Sequence, residues 1–224
     1  MIVSHASERF QQAEILRMFP TFLWKAEVAR ALAIPMNAAL LDVLGALGAP
    51  LRDLQHGQSW QSPHDLHERA PFHDLVVCIH AAAMAALDYL KVAHRGIAVT
   101  GCWANVNAPG ATHPEHSHPN NYLSGVYYLK VPPGADTIAF HDPRPQVGII
   151  RPPVTALTAD NTDEVVVKVT EGTLLIFPAF VPHSVDTHKG AGLRISLSFN
   201  LMFEAYAETM GRPSWDPGLR SRNH

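Results

Sequence analysis

The feature that most restricts the fold of this chain is a change of texture at Gly96. From there on, β-branched and aromatic runs recur over 97–106, 122–131, 137–140, 165–169, 173–177 and 193–203, parted by clusters of Pro, Gly, Asn and Asp. Short strands at this spacing predict an all-β sandwich or barrel, because no one of them buries its apolar face alone. The residues before 98 read differently. An Ala- and Leu-rich stretch over 36–47 closes on Gly48, and 72–92 is apolar around most of its circumference, so both are predicted to be packing helices. Residues 19–24 are predicted to form a short edge strand, since Pro20 lacks the N–H that a central strand must donate. The 224 residues therefore read as one mainly β domain of the α+β kind: a largely helical support over 1–98, a β core over 99–203 and a tail over 204–224. Polar, proline-rich 143–163 is expected to be a mobile loop beside a site.

Composition narrows the partners. With 47% hydrophobic and 17% charged residues, a net charge of −3 and no stripe of Lys and Arg, the chain is globular and lacks the footprint of a nucleic-acid or anionic-membrane binder. A small-molecule or peptide partner is expected, and a homodimer is compatible with that. Cys78 and Cys102 are too few for a disulfide framework and do not form a CxxC pair. The first residues show no basic segment followed by an apolar run, and no apolar stretch reads as long enough to span a bilayer. The expectation is a cytoplasmic protein, neither secreted nor inserted in a membrane.

Histidine carries the chemical signal. Of fourteen, His5, His56, His64, His67, His73, His80, His94 and His224 are scattered through polar or helical surroundings and read as surface or structural residues. The other six, His113, His116, His118, His141, His183 and His188, fall in the β part. His116 and His118 stand at i and i+2, a spacing that on an extended chain projects both imidazoles from one face toward one ion. The best third ligand is His183, which follows an apolar strand and a turn containing Pro178 and Pro182. Three facial imidazoles suit iron, copper, nickel or zinc and leave coordination positions open. Eleven residues beyond His183, Arg194 and Ser196 share a strand face, and a guanidinium fork with a hydroxyl beside it fits the distal carboxylate of a dicarboxylic acid.

Together these motifs resemble the prolyl-hydroxylase-like superfamily of 2-oxoglutarate/iron(II) dioxygenases, with its HxD/E, distant His and RxS. More closely, Trp103-Ala-Asn-Val-Asn107, His116-Ser-His-Pro119, Leu123-Ser-Gly-Val-Tyr-Tyr128-Leu, Asp142-Pro-Arg144, Phe177-Pro and Arg194-Ile-Ser-Leu-Ser-Phe-Asn200 resemble a bacterial family of 2-oxoglutarate/iron oxygenases. Phe19-Pro-Thr21 and Trp60-Gln-Ser62 extend the likeness toward the N-terminus. The resemblance implies a double-stranded β-helix (jelly-roll or cupin-like) barrel buttressed by helices. It implies iron(II) held by His116 and His183, and 2-oxoglutarate anchored through its C5 carboxylate by Arg194 and Ser196. It also implies a dioxygenase that oxidises a small molecule, amino acid or peptide, most simply by hydroxylation, with release of succinate and carbon dioxide. The middle ligand departs from the pattern: His118 stands where Asp or Glu is usual, and His113 and Glu115 are held in reserve for its place. Asn107 and Tyr128 occupy the positions of two cosubstrate-side tyrosines of prolyl hydroxylases, while Trp103, Asn105 and Arg144 are candidates for the substrate pocket.

Two competitors stay open at this point. Gly110, separated from His116 by five residues, and Gly172, separated from Pro178 by five, match cupin spacings and suggest a three-His dioxygenase or isomerase without 2-oxoglutarate. The cupin glutamate after HxH is missing, however, and Phe180 and Thr187 stand where a cupin has Gly and Asn. A catalytically silent metabolite-binding barrel is the other.

Overall fold

The computed structural model describes residues 12–52, 54–145 and 149–207. His5, His224 and the greater part of the tail over 204–224 lie outside them. Among the described residues, ten strands form two antiparallel sheets. They are β1 (Trp24–Glu27), β2 (Ser59–Gln61), β3 (Ile97–Asn107), β4 (His113–His116), β5 (Leu123–Lys130), β6 (Thr137–His141), β7 (Glu164–Lys168), β8 (Thr173–Pro178), β9 (His183–Val185) and β10 (Arg194–Phe203). The larger sheet runs β1-β8-β5-β10-β3-β2 and the smaller β4-β9-β6-β7, the two-sheet arrangement of a double-stranded β-helix. Two 17-residue helices, α1 (Arg30–Ala46) and α2 (His73–Tyr89), are present, and a one-turn α3 (Glu204–Ala207) follows β10.

Alternation along the central strands explains the layers. On β10, Ile195, Leu197, Phe199 and Leu201 join Leu40 and Leu44 of α1 and Leu75, Ile79 and Leu87 of α2 in the main apolar core. The residues between them, Arg194, Ser196, Ser198 and Asn200, line a cavity instead. Strand β3 repeats the pattern, with Cys102, Ala104 and Val106 in the helix-side core and Trp103, Asn105 and Asn107 in the cavity wall. A smaller apolar cluster, including Val126, Tyr128, Ile138, Phe140, Phe177 and Val181, joins the two sheets. The helices therefore seal one face of the large sheet, and the other face is freed to carry polar side chains inside the barrel.

The structure differs from the sequence reading in several elements. Helix α1 begins six residues before 36 and passes through Pro35, because Ala33 and Met36 pack as one buried face and that packing outweighs the hydrogen bond the proline removes. The edge strand lies at Trp24–Glu27, overlapping 19–24 only at Trp24; Phe19 has a φ of 55°, which breaks an extended run. Two strands from the N-terminal part, β1 and β2, complete the large sheet, so that part is a support of mixed helix and strand. Strands β4 and β9 are too short and too polar to have been read as strands.

Residues Ala70–Tyr89 form a continuous helical segment long and apolar enough by composition to cross a bilayer, with a mean hydropathy of 1.5, contrary to the expectation that no stretch has that length. Its Leu75, Ile79, Ala83 and Leu87 are wholly buried against the large sheet, which accounts for the apolar character of that face.

Candidate active site

The cavity between the sheets measures about 300 Å³, and the four-residue strand β4 brings the first histidines to it. Gly110, with φ of +84°, makes the turn before β4; a side chain there would collide with the His56 ring. On the smaller sheet His116 pairs in register with His183 of β9. His118 lies just past β4, where its backbone N–H donates to Ala179 O at 2.9 Å. The ligand atoms of His116, His118 and His183 all fall within 4.8 Å of one another, the one such group among the described residues. The centroid of the His116 ring is 5.0 Å from that of His118 and 4.3 Å from that of His183.

Hydrogen bonding sets the tautomers. His116 Nδ1 is 2.9 Å from Pro114 O, and His183 Nδ1 is 3.0 Å from Val181 O. A carbonyl oxygen only accepts, so in each ring Nδ1 carries the hydrogen and Nε2 keeps a lone pair for a metal. Burial pulls the His118 and His183 imidazoles down to about 4, helped by the neighbouring histidines, and both are neutral at pH 7. The donor set thus suits an imidazole-preferring divalent ion such as iron(II). This shift has a measurable consequence. The unfolded chain takes protons on these groups near 6.5 and the folded chain only near 4, so it is the unfolded state that binds more protons between those values. Stability of the metal-free protein is therefore expected to be full above pH 6.5 and to fall as the pH drops toward 4. Thermal melts across that window check this, and His118→Ala should flatten the fall.

Arg194, at the start of β10, is 3% exposed. Its Nη2 donates to Tyr128 Oη at 3.3 Å and to Thr137 O at 3.4 Å, both neutral acceptors. Its Nε–H is buried without an acceptor, and no ion pair among the described residues includes Arg194. Tyr128 lies under the guanidinium, 5.2 Å from its ring centre, and burial raises its phenol against the opposing pull of Arg194. Ser196 and Asn107 are 6% and 7% exposed and stand beside Arg194, Asn107 directly opposite it in register.

The residues singled out from sequence fall into two groups. His113, His116, His118, His183, Trp103, Asn105, Asn107, Tyr128, Arg194 and Ser196 all border the cavity. Glu115 and Arg144 do not: Glu115 is exposed, and Arg144 is a surface residue whose guanidinium grips Asp142, Nη2–Oδ2 2.6 Å and Nε–Oδ1 3.0 Å. His113 stacks on His116 at 4.4 Å and stays outside the group of three. His141 and His188 are spent on structure, bonding Ser184 Oγ and Gly192 O respectively. The sequence reading missed Gln61, His64, Ser198 and Asn200, which also line the cavity. The alternation of polar residues along 194–200 was a signal for the last two; His64, read as a surface or structural residue, carried none.

A barrel of two antiparallel sheets, with three convergent histidines and a buried arginine that enters no ion pair among the described residues, defines a jelly-roll protein with a candidate metal site. Residues 101–200, a little under half of the chain, match the family described as "Putative 2OG-Fe(II) oxygenase". The chain is an oxidoreductase that uses iron(II) and 2-oxoglutarate with dioxygen. The cupin and the silent barrel are set aside with this match. Solved structures agree in fold. A non-haem α-ketoglutarate-dependent carbocyclase, SnoK from nogalamycin biosynthesis, superposes with a TM-score of 0.59 at 12% identity, covering 82% of this chain and 80% of its own. A Pseudomonas putida prolyl-4-hydroxylase gives 0.56 at 16% identity over 82% and 94%. HygX from Streptomyces hygroscopicus, determined with nickel and 2-oxoglutarate bound, gives 0.55 at 10% identity over 82% and 83%. A comparison with curated proteins yields no match.

Proposed function

We propose that His116, His118 and His183 hold the iron, and that Arg194 receives the C5 carboxylate of 2-oxoglutarate with Tyr128 and Ser196 beside it. We propose further that the product is a hydroxylated small molecule, amino acid or peptide. One observation carries the reading: Arg194 is a buried guanidinium whose Nε–H has no acceptor. Burying a cation without a counter-charge costs several kcal/mol, about 3–5 when a buried pair is left with one partner, so a site of this kind is built for an anion that arrives. A dicarboxylic cosubstrate supplies it, with one end on Arg194 and the other near the histidines.

Iron(II) and 2-oxoglutarate, once bound, supply the oxidising chemistry that consumes dioxygen and releases succinate and carbon dioxide. The chain itself orients and excludes. The Pro114 and Val181 carbonyls hold two imidazoles with Nε2 toward the ion. Asn107, opposite Arg194 in register and lining the cavity, faces the cosubstrate side and offers it a donor. Val126, Ile138 and Phe177 line the same cavity and limit the water in it.

His118 takes the place of a carboxylate, which leaves the ion with one more net positive charge than a 2-His-1-carboxylate site. His118→Asp is expected to keep iron and part of the 2-oxoglutarate turnover, whereas His118→Ala loses most of both. Iron content by elemental analysis and succinate release measure this. Full metal and activity in His118→Ala would transfer the role to His113.

A further inference from the structure

Helix α1 has a second apolar face, and the fold leaves it in solvent. Of its 17 residues only Arg30 and Asp42 are charged, and only Asn37 is otherwise polar. Ala33, Met36, Leu40 and Leu44 take one side of the helix into the core. The opposite side is exposed: Ala31, Ile34, Pro35, Ala38 and Asp42 recur at spacings of three and four, with Leu32 beside them. Ile34 is 63% exposed and Leu32 40%. A helix at the surface of a lone molecule carries polar residues on its outer side, and one that is apolar all round is covered on both.

The charges of the helix point to what covers it. Ala29 stands at the N-cap, no side chain bonds the amides of the first turn, and no acidic residue lies in that turn. This end therefore keeps the partial positive charge of its amides, and the Arg30 guanidinium adds to it. Asp42, about three turns on, is exposed near the negative end. Neither Arg30 nor Asp42 enters an ion pair among the described residues. A cation at the start and an anion toward the end is the reverse of the order that favours a lone helix. An antiparallel copy turns that order to advantage. With the two-fold axis between Met36 and Asn37, Ala38 meets the partner's Pro35, and Asp42 meets the partner's Ala31 beside its Arg30 and its uncapped amides. Symmetry makes the contact twice, and the small side chains of Ala31 and Ala38 let the helix axes approach to about 8 Å. A membrane surface would call instead for several Lys and Arg along the helix, which has a single Arg.

We propose that the outer face of α1 is a self-association surface, on which a second copy of this chain packs its own α1 in antiparallel fashion. The cavity lies on the other face of the large sheet, so each copy keeps a complete site of its own. Analytical ultracentrifugation of the full chain tests the pairing. The expected species at micromolar concentration has twice the 24.5 kDa of the single chain. Ala38→Glu sets two carboxylates near the centre of the pair and should leave a monomer where the parent is dimeric. Arg30→Asp and Asp42→Arg should each raise the dissociation constant by about tenfold, since two exposed ion pairs per dimer are lost. Joined in one chain, the two exchanges should recover part of that loss, which a merely damaged helix would not. Should Ala38→Glu fail to fold, these charge variants at exposed positions decide the matter. A parent that stays monomeric throughout the micromolar range overturns the proposal, and flotation of that monomer with phosphatidylcholine vesicles would assign the face to a membrane. A dimer that Ala38→Glu or the single exchanges leave intact, or that the joined exchanges fail to recover, overturns it as well.

Discussion

Arg194→Ala is expected to weaken 2-oxoglutarate binding by a factor of about 30 or more while leaving the metal in place. A carboxylate paired with a buried guanidinium contributes roughly 2–5 kcal/mol when measured by removing one partner, and each 1.4 kcal/mol is about tenfold. The site magnifies the loss, because the alternatives near Arg194 are the neutral Tyr128 Oη and Thr137 O, neither of which attracts an anion as a cation does. Arg194→Lys should recover only part of the affinity, since an ammonium cannot reproduce the planar fork. Calorimetry with nickel(II) in place of iron measures the binding without turnover. An unchanged affinity in Arg194→Ala would remove the residue from the cosubstrate site.

The second large effect concerns the metal. His116→Ala and His183→Ala should each abolish iron retention, because a labile divalent ion held by three imidazoles loses a third of its protein bonds. Elemental analysis of the purified variants gives the result. Near-stoichiometric iron in either would exclude that histidine as a ligand. The structure makes these two rings more telling than His118, because each has its Nδ1 engaged by a carbonyl two residues earlier and so presents one defined lone pair.

Much of the barrel was legible because strand period writes itself into sequence. The apolar members of 195–201 and 102–106 face the helices and the residues between them face the cavity, so a reader of alternation recovers both layers of β3 and β10. Arg194 and Ser196 were visible as a pair for the same reason. Other elements left weaker marks. Strand β2 is three residues long, and its role depends on pairing with Val106 and Asn105, partners far away in the chain. Pro35 hid the first turns of α1, since its cost is local while the packing that outweighs it is not.

By itself the sequence determined the types of the longer elements, the polar and apolar faces of the long strands, and the residue kinds available for chemistry: adjacent imidazoles, a later one, and an arginine on an alternating strand. Those follow from short-range geometry, in which two residues apart means one face. Only the tertiary structure decided which of them meet. Cross-strand register set His183 beside His116, and sheet order set Gln61 against Asn105. A chain contact outside any long strand carried His64 onto Trp103. Arg144, promising as a motif residue, was drawn away by Asp142 two positions earlier, because a local ion pair on the surface forms whatever the rest of the fold does. Arg194 went the other way: among the described residues no ion pair reaches it, and that buried charge is the ground for proposing that the cavity receives an anion.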